Sequence, residues 1–363
     1  MKKKSIWIIV GVIGASLITV LGISIPILIV PPIVPDEWLT CTPEEQGMNS
    51  SKIEDMYDYI YENSINLHSV LIIRNGCIVD ENFLENSIRR EENYYAPNWM
   101  VSGGRHRVYS ATKSIISLLI GIAIEMGYID NLSQTLYEFF EDYWNPQIDV
   151  RKKNITIKHL LMQTSGLPYE AVDEPYIKKS LDEPLSFDPG TDWLYSGFAG
   201  CHLLSAIINI TTGMKTTEFA REYLFEPVGI SQDDWEWVED YQGIANGGNG
   251  ISFTPRAMAK IGLLCLNNGS WDGIQVVPKE WINESISTVS GFFEPQGPLG
   301  DYGYLWWLFP DYYWAKGWNG QCIVVIPEYD IVVIFTADHT FAKLCYMAPF
   351  IYILDSFIIG GII

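Results

Sequence analysis

Strand-forming segments lie near both ends of this chain, and helix-forming segments fill the middle. Apolar runs at residues 70–73 and 77–79 flank Asn75-Gly76, and an Asn-Gly pair between such runs is a strong hairpin signal. Strand character returns later, at residues 304–308, 322–326 and 331–335. Most periodic segments in between repeat at the helical spacing. The chain therefore predicts an α+β fold, in which an antiparallel β-sheet is flanked by terminal helices and carries an inserted, largely helical subdomain at about residues 114–268.

The terminal helices are predicted from two segments. Residues 50–63 repeat apolar side chains every three to four positions behind a serine cap. Residues 347–363 are apolar but are interrupted by Asp355, and a charge in the middle of a bilayer costs a few kcal/mol. We therefore predict a C-terminal helix packed on the sheet, with a membrane-dipping tail as the alternative.

The N-terminal segment determines the predicted compartment. Lysines occupy positions 2–4, and no charged residue follows between positions 5 and 34. Residues 6–25 alone span about 30 Å as a helix, enough to cross a bilayer. A cleaved secretory signal is the competing interpretation, but prolines rather than a small-residue cleavage site follow. We predict that residues 1–35 form a single-pass transmembrane anchor and proline spacer, with a cytoplasmic N-terminus and residues 36–363 outside the cell membrane.

Charge and composition narrow the classes of partner and cofactor. The balance of 23 Lys+Arg against 44 Asp+Glu gives a net charge of −21, and no basic run follows the N-terminal lysines, which argues against nucleic-acid binding. The five histidines lack a ligand spacing, so neither a metal nor another cofactor is expected. The six cysteines are scattered without a CxxC and are interpreted as buried core residues, with disulfides left open for an extracytoplasmic chain.

A helix predicted to start at Ser110 carries the strongest catalytic candidate. Ser110-Ala111-Thr112-Lys113 has a spacing that brings Lys113 beside Ser110 in the first turn. A helix N-terminus offers free N–H groups and a partial positive charge, which stabilise a developing oxyanion. Burial behind the following apolar residues lowers the pKa of a lysine from about 10.4 toward about 7, where its amine can act as a base. One S-x-x-K is expected by chance in a chain of this length, so the pattern needs further motifs beside it.

Two such motifs are present. Tyr195-Ser196-Gly197 follows a turn at residues 187–191, and residues 317–321, Gly-Trp-Asn-Gly-Gln, immediately precede a strand. Together with the serine–lysine pair and the ordered segments at 159–166, 227–230 and 247–256, they resemble the serine β-lactamase and penicillin-binding protein superfamily, closest to class C β-lactamases and their esterase-like relatives. The resemblance extends from about residue 41 to residue 346, and residues 105–114 are also similar to the aminohexanoate-oligomer hydrolases of that family.

The resemblance implies a role for each motif residue. Ser110 would be the nucleophile, and Lys113 and Tyr195 would share the proton transfer. The backbone N–H groups of Ser110 and Gln321 would form the oxyanion hole.

The resemblance places Gly197, Trp318 and Gly320 in the substrate-binding region. Gly197 stands where relatives have asparagine, and Trp318 stands where they have lysine or histidine. Both departures argue against β-lactam hydrolysis and against recognition of a carboxylate terminus. Lys316 is expected to be a solvated residue at a strand end, with the supply of a nearby charge at the site as the alternative. The tryptophans at 306, 307, 314 and 318 are expected to serve mostly in packing, with one or two lining an apolar acyl pocket.

The expected function is hydrolysis of a small-molecule ester or amide through an acyl-enzyme, by an extracytoplasmic serine hydrolase. A penicillin-binding, D-alanyl peptidase or β-lactamase role is the first alternative. A catalytically inactive binding protein on the same scaffold is the second. The sequence does not indicate an oligomeric state.

Overall fold

The computed structural model describes residues 38–84, 104–168, 176–287, 291, 300–338 and 348–363. The predicted anchor and spacer, residues 1–35, lie outside these residues and remain a prediction. Within the described residues, no helix has both the length and the apolarity needed to cross a bilayer.

The strands are short at the margins of the fold and long at its centre. In chain order they are β1 (Leu67–Arg74), β2 (Cys77–Phe83), β3 (His106–Arg107), β4 (Trp235–Trp237), β5 (Ile251–Phe253), β6 (Ser270–Trp271), β7 (Ile274–Gln275), β8 (Asp301–Tyr302), β9 (Trp307–Leu308), β10 (Tyr313–Gly317), β11 (Gln321–Ile326) and β12 (Ile331–Ala337). A seven-stranded antiparallel sheet has the order β2-β1-β12-β11-β10-β9-β8, so strands from the two ends of the chain pair with each other. This pairing confirms the predicted antiparallel sheet. Of the predicted strand at residues 304–308 only β9 forms, and the neighbouring β10 was not predicted.

Helices cover both faces of that sheet. They are α1 (Ser50–Glu62), α2 (Thr112–Glu125), α3 (Leu136–Phe139), α4 (Ile157–Leu161), α5 (Tyr176–Asp182), α6 (Ala199–Thr212), α7 (Thr216–Ala220), α8 (Pro255–Leu266), α9 (Lys279–Ser287) and α10 (Ala348–Ile353). Helices α2 to α8 come from the segment predicted as the helical subdomain, and a further helical turn, Leu354–Ile358, extends α10.

The two faces of the sheet belong to separate apolar cores. In β12, Val332 and Ile334 point into the core shared with α2, α6 and α8, whereas Val333 and Phe335 point into the core shared with α1 and α10. This alternation is the two-residue period of a strand buried on both sides. Phe350 and Ile353 of α10 are fully buried in the second core, which confirms the predicted C-terminal helix packed on the sheet.

The hairpin between β1 and β2 forms where the Asn-Gly pair predicts it. Arg74 pairs with Cys77, and the two intervening residues have positive φ, 51° for Asn75 and 74° for Gly76. Both signs are those of a type I′ turn, whose twist matches that of the flanking strands.

A disulfide joins Cys41 to Cys77 across 36 residues of sequence, with a Cα–Cα distance of 6.0 Å. The interpretation of these two cysteines as unpaired core residues was therefore wrong. The sequence does not reveal the pair, because the two cysteines come together only through the strand-like pairing of residues 40–41 with β2. In the described part of the chain, Cys201, Cys265 and Cys322 are buried thiols, as predicted. Cys345 lies outside the described residues.

Candidate active site

A strained turn presents Ser110. Strand β3 pairs with β5 of a small three-stranded sheet, and the chain then enters a 3-10 turn, Tyr109–Ala111. Tyr109 has a φ of 46°, a left-handed conformation that is uncommon for a residue with a side chain. This turn runs directly into helix α2, which begins at Thr112, so the helical segment opens within two residues of the predicted start at Ser110. Strained backbone of this kind is concentrated at functional sites.

Arg107 ties this turn to the loop that precedes β5. Its guanidinium lies 5.2 Å from the centroid of the Tyr109 ring. It also donates hydrogen bonds to Asn249, from Nε to the carbonyl at 3.3 Å and from Nη2 to the side-chain oxygen at 3.1 Å. The side-chain oxygen of Asn246 in turn accepts hydrogen bonds from the backbone N–H groups of Gly248 and Asn249, both at 3.1 Å. The turn at Ser110 and the loop containing Gly248 are thus fixed to each other.

Lys113 lies in the first turn of α2 with only 1% of its surface exposed. Its amine donates hydrogen bonds to Ser110 Oγ at 3.2 Å and to the carbonyl of Gly248 at 2.7 Å. The same amine is 4.9 Å from the centroid of the Tyr195 ring. The structure therefore brings Ser110 and Lys113 together with Tyr195, which lies 85 positions after Ser110 in the sequence. An amine within hydrogen-bonding distance of a hydroxyl oxygen is placed to exchange a proton with it.

Tyr195 belongs to a group of four rings that we call the aromatic wall: Trp193, Tyr195, Tyr302 and Trp307. The centroid of the Tyr195 ring is 6.2 Å from those of Trp193 and Tyr302 and 6.0 Å from that of Trp307. Tyr302 is buried behind the other three, which are half-buried. Because burial is the main influence on Tyr302, its pKa is raised well above the ordinary value of a phenol. The aromatic wall therefore has one buried ring, that of Tyr302, and three partly exposed rings, of which that of Tyr195 lies beside Lys113.

The end of β10 packs against the segment that leads to Ser110. A Cβ added to Gly317 would lie 2.0 Å from the carbonyl oxygen of Val108, so only glycine allows this approach. The turn Trp318–Gly320 follows, and Gln321 opens β11 opposite Gly317. The side chain of Gln321 is directed away into the sheet, where its amide donates to the carbonyl of Ala337.

The three residues expected to bind substrate have different surroundings. Trp318 is 52% exposed, at the tip of the turn between β10 and β11. Gly320 has a φ of 93° and lies against Phe350 of α10, since an added Cβ would be 2.4 Å from that ring. Gly197 touches Gly248, whose carbonyl receives the hydrogen bond from Lys113.

Lys316 is buried, which corrects the expectation of a solvated strand-end lysine. Only 7% of its surface is exposed, and its amine lies 4.5 Å from the centroid of the Trp307 ring. Burial lowers the pKa of Lys316 to about 8, with a smaller opposing influence from the thiol of Cys322. A second amine therefore borders the aromatic wall. Its burial depends on a tryptophan from the neighbouring strand, which the local sequence does not reveal.

The other tryptophans divide as the sequence suggested. Trp306 and Trp314 are almost fully buried and serve in packing, whereas Trp307 is half-buried in the aromatic wall. Among the residues that the structure describes, no group of three or more His, Cys, Asp or Glu side chains is arranged to hold a metal ion.

The sequence profile of the Beta-lactamase family matches residues 93–351. This range holds the turn at Ser110, Lys113, the aromatic wall and the end of β10. The chain belongs to the Beta-lactamase family. That membership and the antiparallel sheet with its helical insertion confirm the resemblance predicted from the motifs.

Proteins similar in sequence to this chain include enzymes with different activities. The chain is 23% identical over 266 residues to 6-aminohexanoate-dimer hydrolase of Paenarthrobacter ureafaciens, covering 63% of this chain and 65% of that protein. It is 26% identical over 173 residues to monacolin J acid methylbutanoyltransferase of Aspergillus terreus, covering 40% and 41%. The matches thus span less than two thirds of these curated relatives.

A solved structure extends the likeness of fold over most of the chain. EstCE1, a hydrolase with promiscuous acyltransferase activity, has a TM-score of 0.68 and 17% identity, covering 86% of this chain and 98% of that one. At this identity, the likeness concerns the fold.

Gln163 is the main residue at this Beta-lactamase-family site that the sequence reasoning missed. It directly precedes Thr164-Ser165-Gly166, a segment of the family resemblance, and it is fully buried. Its bonds to Leu194 and Ser196 join it to residues some thirty positions further along the chain, which the local sequence does not reveal.

Proposed function

We propose that the protein is a serine hydrolase that acts on an ester or an amide through an acyl-enzyme, with Ser110 as nucleophile and Lys113 as base. The observation that carries the proposal is the 3.2 Å contact between the buried amine of Lys113 and Ser110 Oγ, beside the ring of Tyr195. This geometry places the amine of Lys113 where it can take the proton of Ser110 as the hydroxyl attacks.

Acylation begins when Ser110 Oγ attacks the carbonyl carbon of the substrate while its proton passes to the amine of Lys113. The carbonyl π electrons move to oxygen, which forms a tetrahedral oxyanion. When this intermediate collapses, the bond to the leaving alcohol or amine breaks, and the leaving group takes a proton from Lys113, directly or through the phenol of Tyr195. Deacylation repeats the sequence with water as nucleophile, and Ser110 recovers its proton.

The oxyanion needs two N–H donors. Ser110 and Gln321 remain the predicted pair. Because Gly317 of β10 is the residue that touches Val108, the N–H of Trp318 at the end of the same strand is a second candidate for the strand-side donor. Either donor would contribute about 3–4 kcal/mol to lowering the barrier.

The aromatic wall supports a substrate with an apolar group next to the scissile bond. Trp193 and Trp307 offer half-buried ring faces beside Tyr195, and such faces bind alkyl or aryl groups. The relatives, 6-aminohexanoate-dimer hydrolase and monacolin J acid methylbutanoyltransferase, and the promiscuous acyltransferase activity of EstCE1 agree with transfer of an acyl group.

Two other functions are less well supported. A penicillin-binding, D-alanyl peptidase or β-lactamase role would use the side chains that Gly197 and Trp318 replace. An inactive binding protein would not need a fully buried lysine in contact with Ser110.

We also propose that residues 1–35 anchor the protein in the cell membrane and that the catalytic domain faces the extracytoplasmic side. The disulfide between Cys41 and Cys77 supports this location, because disulfides persist in oxidising compartments and are rare in the cytosol. Alkylation of membrane fractions with and without reductant, followed by peptide mass analysis, tests it. Free thiols at both positions in native membranes would contradict the proposal.

The catalytic proposal is tested by labelling the full-length protein in detergent with a fluorescent fluorophosphonate and with a fluorescent penicillin. The esterase or amidase function predicts fluorophosphonate labelling that S110A abolishes and S51A, at an exposed serine of α1, preserves. Labelling by penicillin as well would favour the penicillin-binding alternative. Labelling by neither probe would contradict the enzymatic proposal.

A further inference from the structure

Gln163 occupies a strained position in the turn after α4. It is fully buried and has a φ of 60°. Its side-chain amide donates a hydrogen bond to the carbonyl of Leu160 at 3.1 Å. A buried polar side chain in a left-handed conformation costs free energy unless its bonds are satisfied, so the fold retains it for the contacts that it makes.

Those contacts lie on both sides of Tyr195. The N–H of Leu194 donates to the backbone carbonyl of Gln163 at 3.0 Å. The N–H and the hydroxyl of Ser196 both donate to its side-chain oxygen, at 2.7 Å and 3.1 Å. The residues before and after Tyr195 are thus bound to one buried residue, which fixes the direction in which the tyrosine ring leaves the backbone.

The other end of the Gln163 amide reaches toward Lys113. Its Nε2 contacts the thiol of Cys201 at 3.8 Å. The carbonyl of Cys201 packs on Gly247, where an added Cβ would lie 2.2 Å away, and the next residue, Gly248, accepts the hydrogen bond of Lys113. This chain of contacts reaches the loop of Gly248 only through Cys201, so the direct hydrogen bonds of Gln163 beyond its own turn are those to the residues on either side of Tyr195.

We infer that Gln163 is a positioning residue that sets the phenol of Tyr195 relative to the amine of Lys113. The inference rests on the proposed function, in which these two groups share the proton transfer. Gln163 does not touch Ser110 or Lys113 in any of these contacts, and the bond between Lys113 and Ser110 is made within one turn of chain. Loss of Gln163 should therefore impair proton transfer through Tyr195 while leaving the serine–lysine pair assembled.

The test compares Q163M with wild type and with Q232M, at an exposed glutamine, using the full-length protein and a p-nitrophenyl ester. Methionine keeps the length of the side chain but leaves the N–H and hydroxyl of Ser196 without their acceptor. We expect kcat to fall about 10- to 100-fold with KM changed less than about threefold, because a displacement of about 1 Å at a catalytic group costs rates of that order. Q232M should match wild type.

Q163E provides the readout that a merely structural role would not give. Only the protonated, neutral carboxylic acid can both accept from Ser196 and donate to Leu160, as the amide does. The kcat of Q163E relative to wild type should therefore rise at least threefold as the pH falls from 8 to 5.5, whereas the ratio for Q163M should stay constant.

Three outcomes would overturn the inference. One is a folded Q163M with unchanged kcat. Another is a ratio of Q163E kcat to wild-type kcat that does not change with pH. If Q163M does not fold, this ratio decides the matter together with the variant S196A. S196A removes one of the two Ser196 donors and should lower kcat by less than Q163M does. The third is a wild-type protein with no ester turnover and no labelling at Ser110, which would refute the proposed function itself and the inference with it.

Discussion

Replacement of Lys113 by methionine separates catalysis from stability. Proton transfer by a positioned group contributes about 10²- to 10⁴-fold to a rate. Because the amine of Lys113 touches Ser110 Oγ directly, we expect kcat for an ester to fall about 1,000-fold, or about 4 kcal/mol of barrier.

The stability of K113M should change little. The substitution leaves the carbonyl of Gly248 without its donor, which costs roughly 1–3 kcal/mol. It also removes a buried amine, whose desolvation cost of several kcal/mol then disappears. The two effects oppose each other, so the free energy of unfolding should stay within about 2 kcal/mol of wild type.

Lys152 is the matched control, because it is also fully buried and also donates to backbone carbonyls. Its amine donates hydrogen bonds to the backbone carbonyls of Ser180, at 3.1 Å, and Leu181, at 2.6 Å, and to that of Glu183. These three carbonyls lie at the C-terminal end of α5. K152M also removes the desolvation cost of a buried amine, but it leaves three acceptors unpaired at a helix terminus instead of one. It should therefore lose about 2–4 kcal/mol of stability, with kcat of the folded protein within about threefold of wild type. Steady-state kinetics and thermal unfolding of both variants check the pair. Retention of more than a tenth of wild-type kcat by K113M would refute the role of Lys113. Equal losses of kcat in K113M and K152M would mean that the loss results from removing any buried lysine and not from the position of Lys113 beside Ser110.

Three further predictions concern the disulfide, the pH dependence and the substrate. Replacing Cys41 and Cys77 by serine should cost about 4 kcal/mol and lower Tm by about 6 °C, given a closed loop of 36 residues; a change under about 2 °C would contradict this. Burial, and to a smaller extent the charge of His106, lowers the pKa of His68 to about 3. Burial also lowers the pKa of His106, to about 4. Both histidines titrate near 6.5 when unfolded, so the unfolded chain binds protons first and stability falls as the pH drops below about 6.5, by on the order of 3 kcal/mol per histidine at pH 4. Denaturant unfolding of H68Q/H106Q should show a flatter acid limb than wild type, and an unchanged limb would exclude the pair as its cause. W307A should reduce kcat/KM for a hexanoyl or benzoyl ester at least fivefold more than for an acetyl ester, whereas equal losses would exclude the aromatic wall from substrate recognition.

Local patterns predicted local structure well. The Asn-Gly turn and the strands around it depend on residues that are neighbours in sequence. The start of α1 differs in detail, since Asn49 rather than a serine provides the cap. The distribution of strand-forming segments at the two ends of the chain predicted a single antiparallel sheet, whereas the order of its strands came from the structure.

The errors concern contacts between distant segments. The disulfide, the burial of Lys316 under Trp307 and the hydrogen bonds of Gln163 each depend on which elements the fold brings together. The positive φ of Tyr109, whose ring lies against the guanidinium of Arg107, is likewise predicted by no propensity of tyrosine. Motif recognition identified the serine, lysine and tyrosine, while the residues that hold them came only from the structure.

The central claim is that Ser110 becomes acylated during turnover. The most direct measurement mixes the full-length protein with a slowly hydrolysed ester, stops the reaction in acid within milliseconds to seconds, and determines the intact mass and the modified peptide. The account predicts a mass increase equal to one acyl group, located on Ser110 and absent from S110A. Turnover of the ester without any acylated Ser110, or with the acyl group on another residue, would contradict it.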